Sequence, residues 1–332
     1  MENEPVPEIM TDTDVLVRMK VVGVCGSDIH YYTQGHIGTQ MVKFPFTVGH
    51  EGAGVVEKTG KTVTSVKPGD RIAIEPAMPC YDCDQCRAGR HNTCRNMKFL
   101  GCPDQAEGCL SEFIVIPGKN CLPIPNNMTF EEAAICEPLS IGLYAVKQSS
   151  ILGNQTAAIL GFGPIGLSVL LTSKATGVKK FIVTDKIESR IEIALQNGAV
   201  YAGSPENDDV VKQALKTIPE GLDIVFECCG QQEALENGID MLKPGGKLIL
   251  VGIPEFDYWK VQADLIRRKE ITIINIRRQN HCAEEAIEYV ANGKAIVKPM
   301  ITHRFKFNET QKAFETVAGY KDGVLKALIK FD

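Results

Sequence analysis

The sequence lacks long apolar runs, an excess of positive charge and a leader-like start. No stretch of about 18 uninterrupted apolar residues occurs, so we expect no membrane-spanning helix and no membrane partner. Lysine and arginine number 36 against 41 aspartates and glutamates, a formal net charge of −5, which argues against nucleic acid as a partner. The first ten residues, MENEPVPEIM, lack the basic and apolar regions of a signal peptide, so we expect a cytoplasmic location.

What is present is the composition of an ordinary globular protein with many cysteines. The 332 residues are enough for about two domains, and 44% of them are hydrophobic and 23% charged. Twelve cysteines are many for a cytosolic chain, where disulfides are unusual. A clustered set of them therefore indicates metal binding or reactivity.

A glycine-rich segment between a strand and a helix predicts a dinucleotide site. Gly161, Gly163 and Gly166 form G-x-G-x-x-G after the apolar run 157–160, and 165–176 has a helical pattern. In this motif the first glycine permits a tight turn, the second lets the backbone approach a pyrophosphate, and the third lets helix and strand pack closely. The helix start would offer free N–H groups to the anion. An ordinary glycine-rich turn in a parallel sheet is the alternative.

An acidic residue after the next strand favours NAD. The strand 181–184 ends at Asp185, about 20 residues beyond the glycines, the position from which an acid binds the adenosine ribose. Such a carboxylate accepts hydrogen bonds from the ribose hydroxyls and repels a 2′-phosphate. Lys186 and Arg190 follow closely and weaken that preference without reversing it.

Three possible zinc ligands lie in the part of the chain before the nucleotide motif. Residues 14–75 read as short strands with glycine turns, typical of an antiparallel sheet. Cys25, His50 and Glu51 lie in or beside these strands and supply the three ligand types of a catalytic zinc. Considered alone, core residues are the commoner explanation for a cysteine and a histidine so far apart.

A loop of four cysteines gives a stronger metal signal. Cys80, Cys83, Cys86 and Cys94 have the spacing C-x2-C-x2-C-x7-C. Four thiolates can close a tetrahedral shell around zinc and replace the hydrophobic core that such a loop lacks. An iron–sulfur cluster is the rival metal group, and four unrelated reduced cysteines are the remaining alternative. We favour zinc.

In this order, Gly-His-Glu-Gly at 49–52, the cysteine loop and the glycine motif resemble the zinc-dependent medium-chain alcohol dehydrogenase family. Further segments are similar to its sorbitol (polyol) dehydrogenase branch: CGSDIHYY at 25–32, GHIG at 35–38, EPLSIG at 137–142, IRRQN at 276–280 and ITHRF at 301–305. The resemblance implies an α/β protein with two domains. Residues 1–138 and 276–332 would form a GroES-like β-rich catalytic domain. Residues 139–275 would form an inserted Rossmann domain, a doubly wound parallel sheet, and the apolar runs 222–227 and 247–252 read as strands of its second half. Residues 324–331 read as a closing strand.

The resemblance also implies the metal ligands. Cys25, His50 and Glu51 would bind a catalytic zinc, and the four loop cysteines a structural zinc. Glu137 would bind the catalytic zinc or hold its water, as a catalytic and substrate-contacting residue. We prefer it to the neighbouring Cys136, because a water-holding carboxylate keeps the fourth zinc position exchangeable.

Other site residues follow from family position. Ser27 and His30 are candidates for a proton relay, with ordinary turn residues as the alternative. Arg277 would donate hydrogen bonds to the substrate, unless it forms a surface ion pair, and the adjacent Arg278 stands where the branch often has tyrosine. The other expected contacts are, for the substrate, Tyr31 and Phe99, and, for the cofactor, Ile165, Arg190, Ile253 and Ile276.

The expected reaction is oxidation of a secondary alcohol of a polyol, such as sorbitol or xylitol, to a ketose, with hydride transfer to NAD. The resemblance suggests a homodimer or homotetramer. One alternative is a dehydrogenase of L-threonine, a hexonate or a polyol phosphate on the same fold. Another is a non-catalytic NAD-binding protein, because fold alone does not determine function.

Overall fold

The computed structural model describes residues 3–332, which divide into two compact units. The first unit comprises the residues up to Glu137 together with Ala283–Gly293 and Met300–Asp332. The second comprises Pro138–Cys282 and Lys294–Pro299. The domain limits that the resemblance implies, at residues 138/139 and 275/276, stay a prediction.

The described residues form 17 strands and ten α-helices. The strands are β1 Asp14–Gly23, β2 His36–Ile37, β3 Gln40–Met41, β4 Glu51–Thr59, β5 Arg71–Ile74, β6 Ala77–Met78, β7 Lys98–Phe99, β8 Phe113–Pro117, β9 Cys121–Pro123, β10 Thr156–Leu160, β11 Lys180–Thr184, β12 Tyr201–Gly203, β13 Leu222–Glu227, β14 Leu242–Leu250, β15 Thr272–Asn275, β16 Ile301–Lys306 and β17 Lys326–Lys330. The helices are α1 Gly26–Gln34, α2 Asp84–Arg87, α3 Phe130–Ser149, α4 Pro164–Ala175, α5 Glu188–Gln196, α6 Val210–Thr217, α7 Gln232–Met241, α8 Ala263–Arg268, α9 Ala283–Ala291 and α10 Thr310–Ala318.

The first unit is built on a seven-stranded sheet in the order β16-β17-β1-β4-β5-β9, with β8 also paired to β1. Its pairings are antiparallel except for the β16–β17 pair. Apolar side chains of these strands pack in one cluster that includes Val15, Val17, Ile72 and Ile329. This architecture confirms the antiparallel sheet predicted from residues 14–75.

One end of three neighbouring strands positions the candidate metal site. β1 lies between β17 and β4, and Gly23 is paired with Leu328 on one side and with Glu51 on the other. A Cβ atom added to Gly23 would lie 2.1 Å from the Glu51 Oε2 atom. Only glycine therefore leaves room for the carboxylate in its observed position.

The second unit is built on a six-stranded parallel sheet in the order β12-β11-β10-β13-β14-β15. Across the sheet, neighbouring strands are the third, second, first, fourth, fifth and sixth of this unit in the sequence. The order therefore reverses between β10 and β13. Ligands of doubly wound sheets bind outside the carboxyl ends of the strands at that reversal. Ala157–Leu160 are at most 1% exposed, as expected for a strand covered on both faces. The predicted doubly wound sheet is confirmed.

The longest of the described helices is α3, with 20 residues. It carries Glu131 and Glu132 in its first turn and Pro138 in its interior, where the proline removes one backbone hydrogen-bond donor. Across residues 3–332, no helix combines the length and apolar character needed to cross a membrane.

Candidate functional site

Cys25, His50 and Glu51 lie together at the end of β1 and β4. Each offers one ligand atom, and these atoms are all within 4.8 Å of one another. Cys25 is the N-cap of α1, two residues beyond the end of β1, whereas His50 precedes β4 and Glu51 is its first residue. The strand register thus brings together three residues that the sequence proposed as ligands. Metal binding by them stays a prediction.

A buried carboxylate supports the histidine. Asp28 is 1% exposed, and its Oδ1 atom lies 3.5 Å from the His50 Nδ1 atom. Its Oδ2 atom accepts a hydrogen bond from the Cys25 backbone N–H at 3.0 Å. Burial disfavours the imidazolium, but the negative charges of Asp28 and Cys25 raise the pKa of His50 well above its usual value. The surroundings of the ring therefore favour a positive charge.

A buried lysine binds the glutamate of this group. The Lys326 ammonium donates to the Oε1 and Oε2 atoms of Glu51 at 2.6 and 2.8 Å, and to the Val24 carbonyl at 3.1 Å. Burial disfavours its charge, but Glu51 and Cys25 raise the pKa of Lys326. The sequence analysis missed Lys326. The one sequence feature that could have indicated a buried lysine was its position among apolar neighbours in the strand predicted at 324–331.

Glu137, which the resemblance places at the metal or at its water, lies on α3. Among the described residues, the set whose ligand atoms lie within 4.8 Å of one another contains Cys25, His50 and Glu51 without it. Glu137 is half-buried, and its negative charge is one of the smaller contributions that raise the pKa of Lys326. The neighbouring Cys136 is buried, and its thiol donates to the Glu132 carbonyl of the same helix at 3.4 Å. The role of Glu137 as a metal ligand or as a holder of the metal-bound water stays a prediction.

The other predicted catalytic and substrate residues of the first unit lie near the three ligands. Ser27, His30 and Tyr31 are on α1, which begins after Cys25, and the Phe99 ring centroid is 5.5 Å from that of His50. The Tyr31 hydroxyl is 3.8 Å from Cys102 Sγ and 3.4 Å from Gln40 Oε1. Cys102 lines a cavity of about 380 Å³, together with Met41, Phe46 and Gln105. Arg277 belongs to the second unit and is exposed.

The four loop cysteines converge around one point. Their sulfur atoms all lie within 4.8 Å of one another, with Cys80–Cys94, Cys83–Cys94 and Cys80–Cys86 separations of 3.5, 3.9 and 4.0 Å. Zinc–sulfur bonds of about 2.3 Å in a tetrahedron place sulfurs about 3.8 Å apart. The backbone N–H groups of Asp82 and Cys83 lower the pKa of Cys80 to about 6, which favours the metal-binding thiolate.

The glycine motif has the geometry that its spacing predicted. Gly161 has φ +91°, and a Cβ there would lie 2.6 Å from the Cys229 Cβ atom. A Cβ at Gly166 would lie 2.2 Å from the Gly161 carbonyl oxygen, so close packing of α4 on β10 requires a glycine. Gly163 is the N-cap of α4, and the nearest atom to a Cβ there is Arg190 Nη1 at 3.5 Å. This turn stays open to a ligand.

Asp185 lies beside this turn, at the carboxyl end of β11. Its Oδ2 atom accepts a hydrogen bond from the Phe162 N–H at 2.6 Å, and its Oδ1 atom accepts one from the Ile187 N–H at 2.9 Å. Arg190 Nη1 is 3.7 Å from Oδ2. Three further cofactor contacts stay predictions. Ile165 lies within the motif, in the first turn of α4, whereas Ile253 and Ile276 follow β14 and β15.

Comparisons with known proteins agree with this architecture. Residues 11–126 match the alcohol dehydrogenase GroES-like domain, and residues 164–292 match the zinc-binding dehydrogenase family. The chain is 35% identical over 331 residues to sorbitol dehydrogenase of Bacillus subtilis (strain 168), covering 99% of this chain and 93% of the relative. It is 36% identical over 312 residues to L-idonate 5-dehydrogenase of Vitis vinifera, covering 92% and 85%.

A solved structure has the same fold. It is an Escherichia coli oxidoreductase/dehydrogenase of unknown specificity involved in membrane biogenesis. It superposes with a TM-score of 0.92 at 30% identity, covering 98% of this chain and 94% of that one. The predicted pairing of a GroES-like domain with a Rossmann-like domain is confirmed. The chain belongs to the zinc-dependent medium-chain dehydrogenase family, in its sorbitol dehydrogenase-like branch.

Proposed function

We propose that this protein is a zinc-dependent polyol dehydrogenase. It oxidises a secondary alcohol of a sorbitol- or xylitol-like polyol to a ketose and transfers the hydride to NAD. The observation that carries the proposal is the convergence of Cys25, His50 and Glu51 within 4.8 Å. The relative named sorbitol dehydrogenase, at 35% identity over 99% of this chain, supports the substrate class.

The residues at the first metal site fit zinc. A thiolate, an imidazole and a carboxylate are the protein ligands of catalytic zinc sites, which keep a further position open. Asp28 would hold the His50 ring in place, as outer carboxylates do for metal-bound histidines. Bound there, zinc supplies Lewis acidity that lowers the pKa of the substrate hydroxyl. Glu137 is proposed to hold the water or hydroxyl that occupies the open position.

The cysteine loop fits a second, structural zinc. The observed sulfur separations of 3.5–4.0 Å bracket those of a tetrahedral thiolate shell. Backbone N–H groups of Cys80 and Asn96 donate to the Cys94 sulfur at 3.2 and 3.4 Å, which stabilises the thiolate. Four protein ligands leave no position for a substrate, so the proposed role is to hold the loop together.

Residues on α1 are proposed to move the proton and to contact the polyol. Ser27 and His30 lie within the first five residues of this helix and would carry the hydroxyl proton away from the site. Tyr31 and Phe99 would form the wall of the polyol pocket, and Arg277 would donate hydrogen bonds to vicinal hydroxyls. A site built to hydrogen-bond several hydroxyls rejects simple alcohols, since its polar groups would then be unpaired.

We propose NAD as the cofactor, whose nicotinamide would supply the hydride acceptor when bound. The support is Asp185, a carboxylate 8% exposed beside the glycine turn, where it would bind ribose hydroxyls and repel a 2′-phosphate. Arg190 offsets part of that negative charge from 3.7 Å. Gly161, Gly163 and Gly166 would receive the pyrophosphate, and Ile165, Ile253 and Ile276 would contact the rest of the cofactor.

The proposed assembly is a homodimer or homotetramer. In the sheet of the second unit, β15 is an outer strand that pairs with β14 within residues 3–332. The other edge of such a strand presents backbone groups that can pair with a second copy. Size-exclusion chromatography with light scattering tests this, and a monomer at micromolar concentration would contradict it.

A hexonate is the second candidate substrate. L-Idonate 5-dehydrogenase of Vitis vinifera is 36% identical over 92% of this chain. The adjacent Arg277 and Arg278 supply positive charges that would suit a carboxylate. A purified-protein panel of sorbitol, xylitol, galactitol, L-idonate, L-threonine and 2-propanol, each with NAD and with NADP, distinguishes the candidates.

We expect reduction of NAD with a polyol, loss of activity with a zinc chelator, and about two zinc ions per chain. Preference for L-idonate over every polyol would replace the substrate assignment. Equal turnover of 2-propanol and sorbitol would contradict it.

A further inference from the structure

Glu227 is a buried carboxylate that has no role in the cofactor scheme given above. It is the last residue of β13 and is 0% exposed. β13 is the neighbour of β10 at the reversal of the strand order, where ligands of doubly wound sheets bind. A charged side chain is seldom fully buried unless it is paired or hydrogen-bonded, so its hydrogen bonds indicate what it does.

The side chain of Glu227 holds the loop that follows β13. Its Oε1 atom accepts hydrogen bonds from the backbone N–H groups of Cys229 and Gly230 at 2.9 and 2.6 Å, and from the Cys229 thiol at 3.1 Å. Gly230 has φ +69°, and a Cβ there would lie 2.3 Å from the Ile253 carbonyl oxygen. This loop is therefore packed closely against the loop that follows β14.

The backbone of Glu227 holds the second loop. Its carbonyl oxygen accepts hydrogen bonds from the N–H groups of Val251 and Gly252 at 2.8 and 3.0 Å. A Cβ at Gly252 would lie 2.2 Å from the Gly230 nitrogen and 2.7 Å from the Glu227 Oε2 atom. One residue therefore joins the loops after two neighbouring strands, the first through its side chain and the second through its carbonyl group.

The first loop also supports the glycine turn. A Cβ at Gly161 would lie 2.6 Å from the Cβ atom and 3.0 Å from the backbone nitrogen of Cys229. The Cys228 N–H donates to the Leu160 carbonyl at 2.8 Å, directly before that turn. A shift of Cys229 would therefore reach the turn that is proposed to receive the pyrophosphate. Ile253, another proposed cofactor contact, lies in the second loop.

We infer that Glu227 is a positioning residue for the dinucleotide, which holds both loops and the glycine turn in the cofactor-binding arrangement before the cofactor arrives. The inference rests on the proposed function, because it takes Gly161 and Ile253 as parts of the NAD site. Loops held in this way lose less conformational freedom on binding, so the cofactor binds more tightly. Because Glu227 is 0% exposed, it acts through the loops and not by contact with the cofactor.

The reach of this side chain matters more than its charge. Oε2 lies beside Gly252 and has no hydrogen-bond partner within residues 3–332. Burial raises the pKa of Glu227, although the donors of residues 229–231 oppose that rise, so the surroundings do not favour the charged form. Glutamine keeps an acceptor oxygen at the same reach, whereas aspartate keeps the charge but is one methylene shorter.

The test compares Glu227→Asp and Glu227→Gln with the wild-type, zinc-loaded enzyme. Titration calorimetry with NAD and with NADP gives the dissociation constants, and steady-state kinetics with sorbitol give kcat and the KM for NAD. Asp223→Asn is the matched control, because Asp223 is a carboxylate near the other end of β13. It accepts hydrogen bonds from the backbone N–H and the hydroxyl of Thr156, both at 2.8 Å, away from the two loops.

In Glu227→Asp, we expect the dissociation constant and the KM for NAD to rise about tenfold or more, the effect of one hydrogen bond to a charged group left unmade. The kcat at saturating NAD should stay within about twofold of wild type, because no group at the metal site changes. Glu227→Gln should restore the affinity for NAD. Asp223→Asn should lose stability and bind NAD as wild type does.

Three outcomes overturn the inference. The first is wild-type affinity for NAD in Glu227→Asp. The second is weak binding by Glu227→Gln together with normal binding by Glu227→Asp, because the negative charge and not the position of the loops would then matter. The third is an equal loss of affinity in Asp223→Asn, because NAD binding would then follow the stability of the strand.

A measurement on the wild-type protein remains decisive if Glu227→Asp does not fold. Without NAD, the Cys229 and Gly230 amides should exchange their hydrogens as slowly as those within β13, and rapid exchange that only NAD slows overturns the inference. A wild-type protein that binds NAD and oxidises no polyol refutes the proposed substrate and leaves the role of Glu227 intact. A wild-type protein that binds neither dinucleotide refutes both.

Discussion

Replacing Gly23 by alanine should damage the candidate active site although no proposed ligand is replaced. The new Cβ would lie 2.1 Å from the Glu51 Oε2 atom, 3.1 Å from its Cβ and 3.2 Å from its Cδ. Ordinary contact begins at 3.4 Å, so Oε2 must move by about 1.3 Å, the difference between 3.4 and 2.1 Å. Because Lys326 binds this oxygen at 2.8 Å, the movement breaks that hydrogen bond.

The energetic cost follows from the charge and burial of the pair. A hydrogen bond between charged groups contributes about 1.5–3 kcal/mol, and a buried polar atom left without a partner costs a similar amount. We therefore expect Gly23→Ala to lose about 2 kcal/mol of unfolding free energy. Because Glu51 moves, the affinity of the catalytic site for zinc should fall by about 10-fold or more.

The assay combines zinc content with thermal unfolding, and a neighbouring glycine supplies the control. A Cβ at Gly26 meets no atom within 4 Å, and Gly26 opens α1, where alanine is the better helix former. Gly26→Ala should retain both zinc ions and melt at or slightly above the wild-type temperature. If Gly23→Ala also keeps both zinc ions and melts with this control, the proposed packing of Glu51 against β1 is wrong.

Three further predictions address the rest of the chain. Cys86→Ser should remove about one zinc per chain and lower the melting temperature, while turnover per folded molecule is unchanged; unchanged melting would contradict a structural metal. Burial opposes ionisation of Asp223, but Lys243 and Thr156 lower its pKa, so its stabilising effect is present at neutral pH and is lost as pH falls through that lowered value. Asp223→Asn should therefore be less stable than wild type in urea at pH 7, and the gap should close in acid; a gap independent of pH would contradict this. Asp185→Ser should raise the ratio of kcat/KM for NADP to that for NAD, and an unchanged ratio would show that Asp185 does not select the cofactor.

Much of the parallel sheet could be predicted from the sequence, because its strands are short apolar runs with local boundaries. The strand at 222–227 is confirmed at both ends. The next one was read from 247, but it begins at Leu242, since Pro244 and two glycines gave a turn signal inside it. There the backbone still pairs Leu222 with Leu242 before a register shift. Tertiary pairing extended a strand beyond the limit that local residue preferences indicated.

The candidate site was predictable to the extent that its chemistry is local. The cysteine spacing by itself places four sulfurs within reach of one ion, and the glycine spacing determines the turn. The approach of Cys25 to His50 came from the family resemblance, because strand register and not spacing brings them together. Lys326 and Gly23 could not be found in this way. Their roles depend on which strands are neighbours, and no motif records that.

The pairing of β17 with β1 delays completion of the candidate site while the protein is being synthesised. The Lys326 ammonium and the Val24 carbonyl it binds are 302 positions apart. At about 5–20 residues per second, a ribosome needs roughly 15–60 s to travel that distance. Until Lys326 is made, Glu51 has no lysine beside it, whereas all strands of the parallel sheet, at 156–275, are made before that point. Biogenesis of the catalytic centre therefore comes last, and the nucleotide-binding half can fold first.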